Sequence, residues 1–276
     1  MIKFLIFLST LNFISYSFSK EPTTLDRNEK IHFPKIKIKE NVWNGGAAID
    51  IQKVLDSVTR QIWPFVQLEK LDPICVNRSQ TGPIVLYERG KQGEFLVKLN
   101  TEKTYWCQYA FQFAHELGHI ICGYKKGDRS NLWFEETICE VASLFVLRRM
   151  TKEWKKKPPY PNWKSYGPEF AKYAQMRMDK NPWPNELSLS QWYQDNEIKL
   201  VNEPTDRNRN VKLANKLLPY FEEDPKVWSA FIYLNIRKTQ KTIKFSEFLQ
   251  NWKEECKTFK QKKFVDMLSF NFGLKN

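Results

Sequence analysis

Tyr105-Trp106-Cys107-Gln108-Tyr109-Ala110-Phe111-Gln112-Phe113-Ala114-His115-Glu116-Leu117-Gly118-His119-Ile120-Ile121-Cys122-Gly123 is the stretch on which the fold turns. It is almost uniformly apolar and aromatic, broken near its centre by two histidines and a glutamate. A run of this length that is apolar all round predicts a buried helix over about 104–123, with Gly123 as its C-terminal stop. On a helix, residues four apart share a face, so His115 and His119 can reach one ion. Glu116, one residue along, can sit beside that ion without binding it. The chain has 3 His in all, so a three-histidine site would have to recruit His32 from some eighty residues away.

Buried polar groups need partners, and a divalent cation supplies one for this constellation. Zinc at a catalytic site takes three protein ligands and keeps one position open. With histidine effectively used up, the third ligand is expected to be a carboxylate on a nearby element. A polar loop, Tyr124–Asn131, leads to a second predicted helix over about Leu132–Trp154, which offers Glu135, Glu136 and Glu140. Glu136 and Glu140 are one turn apart on one face. One of them can bind the metal while the other accepts the second ring N–H of a ligand histidine and fixes its tautomer. Helix-face geometry ranks Glu136 first as ligand, then Glu140, then Glu135, whose direction differs from that of Glu136 by about 100°. Glu135 reads as a solvated carboxylate in a first helical turn. Cys122 and Cys139 each follow a proposed ligand by three residues. On antiparallel helices they would diverge, so both read as small buried hydrophobes.

Here the sequence resembles the gluzincin clan of zinc metallopeptidases, to which thermolysin and the zinc aminopeptidases belong. The resemblance spans about residues 94–150 and rests on His115-Glu116-x-x-His119 followed by Glu136-x-x-x-Glu140, with Leu132-Trp133-Phe134-Glu135-Glu136 similar to the stretch around the aminopeptidase ligand. It implies one zinc ion held by His115, His119 and Glu136, Glu140 supporting a ligand histidine, and Glu116 as general base in the hydrolysis of a peptide or protein substrate. It also implies that Glu94–Leu99 is the edge strand along which substrate lies. Three features depart from the clan. Sixteen residues separate His119 from Glu136, slightly fewer than in those families. The Gly-x-Met-Glu-Asn segment of the aminopeptidases is missing. No histidine follows His119, so a tyrosine would have to stabilise the oxyanion, with Tyr160, Tyr166, Tyr173, Tyr193 and Tyr220 as the candidates.

Further outward, Ile36–Lys39 alternates as a short strand would, and Ile51, Val54, Leu55, Val58 and Ile62 predict an amphipathic helix over about 48–62, closed by Pro64. Ile74–Asn77, Pro83–Glu88 and Glu94–Leu99 have strand character. The run Lys155–Pro161 carries three lysines and three prolines, is not expected to be helical, and marks a boundary. Beyond it every pattern is helical, with Asp224-Pro225 opening one helix. The expected fold class is α+β. A zincin-like lobe over 20–154 would combine a small mixed sheet with the two ligand helices, and a helical C-terminal lobe would occupy 155–276.

Met1-Ile2-Lys3, the apolar Phe4–Phe18 and the small-x-small Ser17-Phe18-Ser19 predict a signal peptide over 1–19 and a secreted or periplasmic protein. No later run is apolar enough to cross a bilayer. The 5 Cys are too few for a disulfide scaffold, and no CxxC pair is present. A formal charge of +13, spread along the chain, describes a lysine-rich solvated surface, with no motif for specific nucleic-acid binding. The alternative to a hydrolase is a non-catalytic zincin-fold protein that binds cell-wall or another anionic polymer, and an intact Glu116 argues against it.

Overall fold

The computed structural model describes residues 32–274. The predicted signal peptide, residues 1–19, lies outside the described residues. The elements run β1 (Ile36–Ile38), α1 (Ala48–Val66), β2 (Ile74–Arg78), β3 (Ile84–Arg89), β4 (Phe95–Leu99), α2 (Trp106–Ile121), α3 (Leu132–Lys156), α4 (Gly167–Asp179), α5 (Leu189–Asn202), α6 (Arg207–Glu223), α7 (Trp228–Phe231), α8 (Phe245–Glu255) and α9 (Phe259–Asn271). The class is α+β, with one small mixed sheet and a helical second half.

The four strands lie in the order β1-β2-β4-β3. β1, β2 and β4 are parallel, with Ile36 opposite Ile74 and Val76 opposite Val97. β3 runs antiparallel to β4, and its register shifts between Val85 and Arg89. The expectation for Glu94–Leu99 is therefore corrected: β4 is an interior strand, and the edges of the sheet are β1 and β3. The reason is a crossover. The strand that follows β2 in sequence is displaced outward, and β4 inserts between them. Val97 and Leu99 of β4 are buried, whereas Tyr87, Glu88 and Arg89 of β3 are exposed. Charged side chains on an edge strand discourage pairing with other chains.

α1 buries Ile51, Val54, Leu55, Val58 and Ile62, packing against β1, α2 and α3. It does not stop at Pro64 but continues to Val66. Near a helix end, a proline forfeits little beyond one intrahelical bond, and the buried Trp63 and Val66 carry the helix past it. α3 likewise runs two residues into the Lys155–Pro161 segment. Trp154, fully buried near its end, stacks on Trp163 at 5.4 Å and donates its indole N–H to Ser57 Oγ. The described residues, 32–274, form one compact unit, and apolar side chains from both sides of residue 155 share one core. α3 is the axis of that core, packing on α1 and α2 on one side and on α4 and α6 on the other. Trp133, Phe134, Phe245 and Phe272 form an aromatic cluster that joins it to α8 and the chain end.

All five cysteines are free, and four of them are buried. No helix among the described residues is long and apolar enough to cross a membrane.

Candidate metal centre

The chemistry-bearing side chains sit where α2 crosses α3. What lets the helices approach is Gly118, one residue before His119. A Cβ built there would lie 3.0 Å from the Cα of Cys139 and 3.1 Å from its Sγ. The contact is closed by Ser143, whose hydroxyl donates to the carbonyl of Phe111 on α2 at 2.8 Å. One face of α2 thus meets the first turns of α3 at backbone range, and the His pair lies opposite three glutamates.

The two imidazoles lie edge to face, their ring centroids 5.1 Å apart at an interplanar angle of 71°. His115 Nε2 lies 3.3 Å from Glu136 Oε2, and His119 Nε2 lies 3.8 Å from Glu136 Oε1. Each Nδ1 faces a different carboxylate: Glu140 at 3.8 Å for His115, and Glu135 at 2.7 Å for His119. Tetrahedral zinc with bonds near 2.0–2.1 Å holds its ligand atoms roughly 3.3–3.5 Å apart. The 3.3 Å contact of Glu136 with His115 matches that value, and the 3.8 Å contact with His119, made by the other carboxylate oxygen, is longer.

Glu136 and Glu140 both lie on the side of α3 turned to His115. Glu135 departs from the expectation drawn from the sequence. It is not solvated but buried, and both of its oxygens are used: Oε1 accepts from His119, and Oε2 accepts from Asn235 at 2.8 Å and lies 3.5 Å from Lys238 Nζ. The physical reason is that residues 232–244 cover this turn of α3. The side chain that a helical wheel points outward therefore meets protein rather than water.

Charge sharpens the picture. Four carboxylates, those of Glu116, Glu135, Glu136 and Glu140, are gathered here with Lys238 as the cation in direct ion-pair contact. Burial opposes a charged His119, but the hydrogen bond and charge of Glu135, with Glu136 and Glu116 behind it, bring its pKa up to about 9. His115 is likewise raised against burial, by its bond with Glu136 and the charges of Glu140 and Glu116. Burial pushes Glu136 up, yet the hydrogen bond from His115 and the charges of both imidazoles hold it at about 2. Glu135 is held below the usual range against burial by His119, Lys238 and Asn235. Burial raises Glu140 and Glu116. Glu140 Oε2 is buried without a hydrogen-bond partner.

The donor set therefore fits a divalent cation. Glu136 faces both Nε2 atoms, one with each oxygen, Nδ1 of His119 is held by Glu135 while that of His115 lies 3.8 Å from Glu140, and the surrounding carboxylates are in excess of nearby cations. Glu116 is buried beside this group, and the backbone amide of Val85 on β3 favours its charged form against burial. Glu136 is the most exposed of the group, at 18% of its side chain, so the open side of the centre lies next to it.

Sequence reasoning missed one further donor. Cys139 brings its Sγ close to the pair, such that donor atoms of His115, His119 and Cys139 all lie within 4.8 Å of one another. His-His-Cys is thus a second conceivable ligand set. We favour Glu136 for two reasons. It is ionised and meets both Nε2 atoms, whereas the Cys139 thiol is fully buried against Gly118, with its pKa raised well above the ordinary value by burial and by Cys122 and the neighbouring glutamates. A ligand in that closed seam would also leave less room for an open coordination position.

Of the tyrosines named from sequence, Tyr173 stands nearest in character. It packs edge-on to Phe111, one helical turn before His115, and feels the charge of Glu140. Tyr160 is on the Asp50 side of the molecule, Tyr166 bonds to Cys107, Tyr193 to Glu197, and Tyr220 to Asn271. Tyr87, upstream of the motif and outside that candidate group, feels both Glu135 and Glu136 from the exposed edge strand. His32 takes no part; its carbonyl accepts from the indole of Trp63 at 2.9 Å.

No family model, curated protein or solved structure matches this chain.

Proposed function

We propose that the protein is a gluzincin-like zinc metallopeptidase with a zincin-like ligand-bearing half. One observation supports this above the others: Glu136 faces the Nε2 atoms of both His115 and His119, one with each oxygen, with each Nδ1 facing its own carboxylate. His115, His119 and Glu136 would hold one zinc ion. Bound there, zinc would supply Lewis acidity and lower the pKa of a water towards about 7.

The residues around it have separable tasks. Glu135 orients the ring of His119 so that its Nε2 faces the centre, and Glu140 stands 3.8 Å from Nδ1 of His115. Glu116 lies near the Val85 amide of β3, beside the proposed ion but outside the ligand set. It would take the proton of the attacking water and deliver it to the departing amine. β3 carries Val85 and is one of the sheet's two edge strands, so an extended peptide could add to it by backbone pairing near Glu116. Tyr124 steadies that strand by donating its hydroxyl to the carbonyl of Leu86. Peptides are accordingly the proposed substrates, and export through residues 1–19 the proposed route.

The test is Glu116→Gln. The amide keeps the shape of the carboxylate but cannot accept a proton near neutral pH. Zinc content and thermal stability are expected to stay at wild-type values, while cleavage of a broad peptide library falls by at least 10²–10⁴-fold, as for loss of a general base. A zinc-loaded wild type that cleaves nothing, with a Glu116→Gln variant indistinguishable from it, would leave the polymer-binding alternative in its place.

A further inference from the structure

The segment between α7 and α8, residues 232–244, lies over the connection between the two ligand helices. Lys125 Nζ donates to the carbonyl of Ile236 at 2.6 Å, the Asp128 N–H to that of Thr239 at 2.6 Å, and Asn131 Nδ2 to that of Ile243 at 2.9 Å. Gly127 permits this closeness, since a Cβ there would meet the Thr239 carbonyl oxygen at 2.7 Å. At the centre of the contact is Asn235, 2% exposed. Its Nδ2 donates to the Cys122 carbonyl at 3.0 Å, at the end of α2, and to Glu135 Oε2 at 2.8 Å, in the first turn of α3. One amide group thus bridges both ligand-bearing helices. Lys238, 8% exposed at its side chain, ion-pairs with the same Glu135 oxygen.

We propose that Asn235 and Lys238 are positioning residues for the metal centre: together they fix the carboxylate of Glu135 so that it takes the Nδ1 hydrogen of His119 and turns the Nε2 of that ring towards Glu136. The chemistry requires such a device. An ionised carboxylate is acceptor-only, so its bond to His119 at 2.7 Å places a hydrogen on Nδ1 and makes Nε2 the nitrogen that would give up its proton to a metal. Glu135 could use its two oxygens in several ways. Asn235 and Lys238 occupy Oε2 and leave Oε1 for His119. Both come from about a hundred residues downstream, which makes the C-terminal half part of the centre rather than an appendage to it.

The inference rests on the metal-site reading, so the experiment reads two things. The first is zinc affinity, measured by competition with a chromophoric chelator on the full-length protein. Asn235→Ala and Glu135→Ala should each weaken it by about 10–100-fold, as is usual for a residue that orients a ligand histidine. The double variant should be no weaker than Glu135→Ala alone, because Asn235 acts through Glu135. The second is the Nδ1 proton of His119 in ¹⁵N–¹H spectra of the metal-free protein, expected in the wild type and lost or shifted in Asn235→Ala. Full additivity in the double variant, or wild-type affinity and an unchanged ring proton in Asn235→Ala, would overturn the proposal. If the wild type binds no zinc, the metal reading fails by itself, and the ring proton still decides the positioning claim. Should Asn235→Ala not fold, Lys238 carries the test. Lys238→Met should weaken zinc binding and Lys238→Arg restore it, whereas equal affinity in both would overturn the assignment.

Discussion

Replacing Gly118 with alanine tests the close helix crossing on which the whole site depends. Two opposed effects set the magnitude. In a helix interior alanine is favoured over glycine by about 0.8–1.0 kcal/mol, so an unobstructed Gly118→Ala would stabilise the protein. Here the new methyl would meet Cys139 Cα at 3.0 Å, Sγ at 3.1 Å and Cβ at 3.3 Å. A backbone Cα cannot rotate out of the way, so α2 and α3 must separate, and the cost belongs in the upper part of the roughly 1–3 kcal/mol range for overpacking. The net expectation is a loss of about 1–2 kcal/mol. Urea unfolding in excess chelator isolates this from any metal contribution, and an unchanged slope with a lowered midpoint would mark a change in stability alone. Adding Cys139→Ala relieves the sulfur contact but leaves those of Cα and Cβ, so the double variant should recover only part of the loss. The same separation draws Glu136 away from the imidazoles, so zinc affinity should fall with stability. A Gly118→Ala protein as stable as the wild type, or more so, would show that helix propensity wins and that the crossing is looser than described.

The remaining expectations concern individual groups. Glu136→Ala should lose zinc almost completely at sub-micromolar free metal, while Glu140→Ala should weaken it by only about 10–100-fold; the reverse pattern in a metal titration would exchange their roles. Retention of zinc by Glu136→Ala together with its loss in Cys139→Ala would select the His-His-Cys set instead. Mass spectrometry of the natively produced protein should find an N-terminus within about three residues of Lys20, and an intact Met1 on the soluble protein would refute export.

The local parts of this protein were legible in its sequence because they follow from short-range geometry. The apolar run around His115 and His119 could only be a buried helix, and the four-residue spacing put both rings on one face. Glu136 and Glu140 shared a face of the next helix for the same reason, so their meeting with the His pair followed once the helices were neighbours. The periodic apolar residues of α1, α8 and α9 were equally plain. Three things required the tertiary structure. Strand order came first: nothing local distinguishes β3 from β4, and only the crossover β2-β4-β3 makes β3 the edge beside Glu116. The distance between α2 and α3 came second. Gly118 is visible in the sequence, but the backbone it admits, and the Cys139 sulfur brought near the histidines, are not. The role of Glu135 came third. Its direction on the helix was read correctly, but what lies in that direction is Asn235 and Lys238, about a hundred residues away. A periodic pattern reports which side of an element is covered by its own apolar neighbours, and polar groups delivered from a distant segment leave no mark on it.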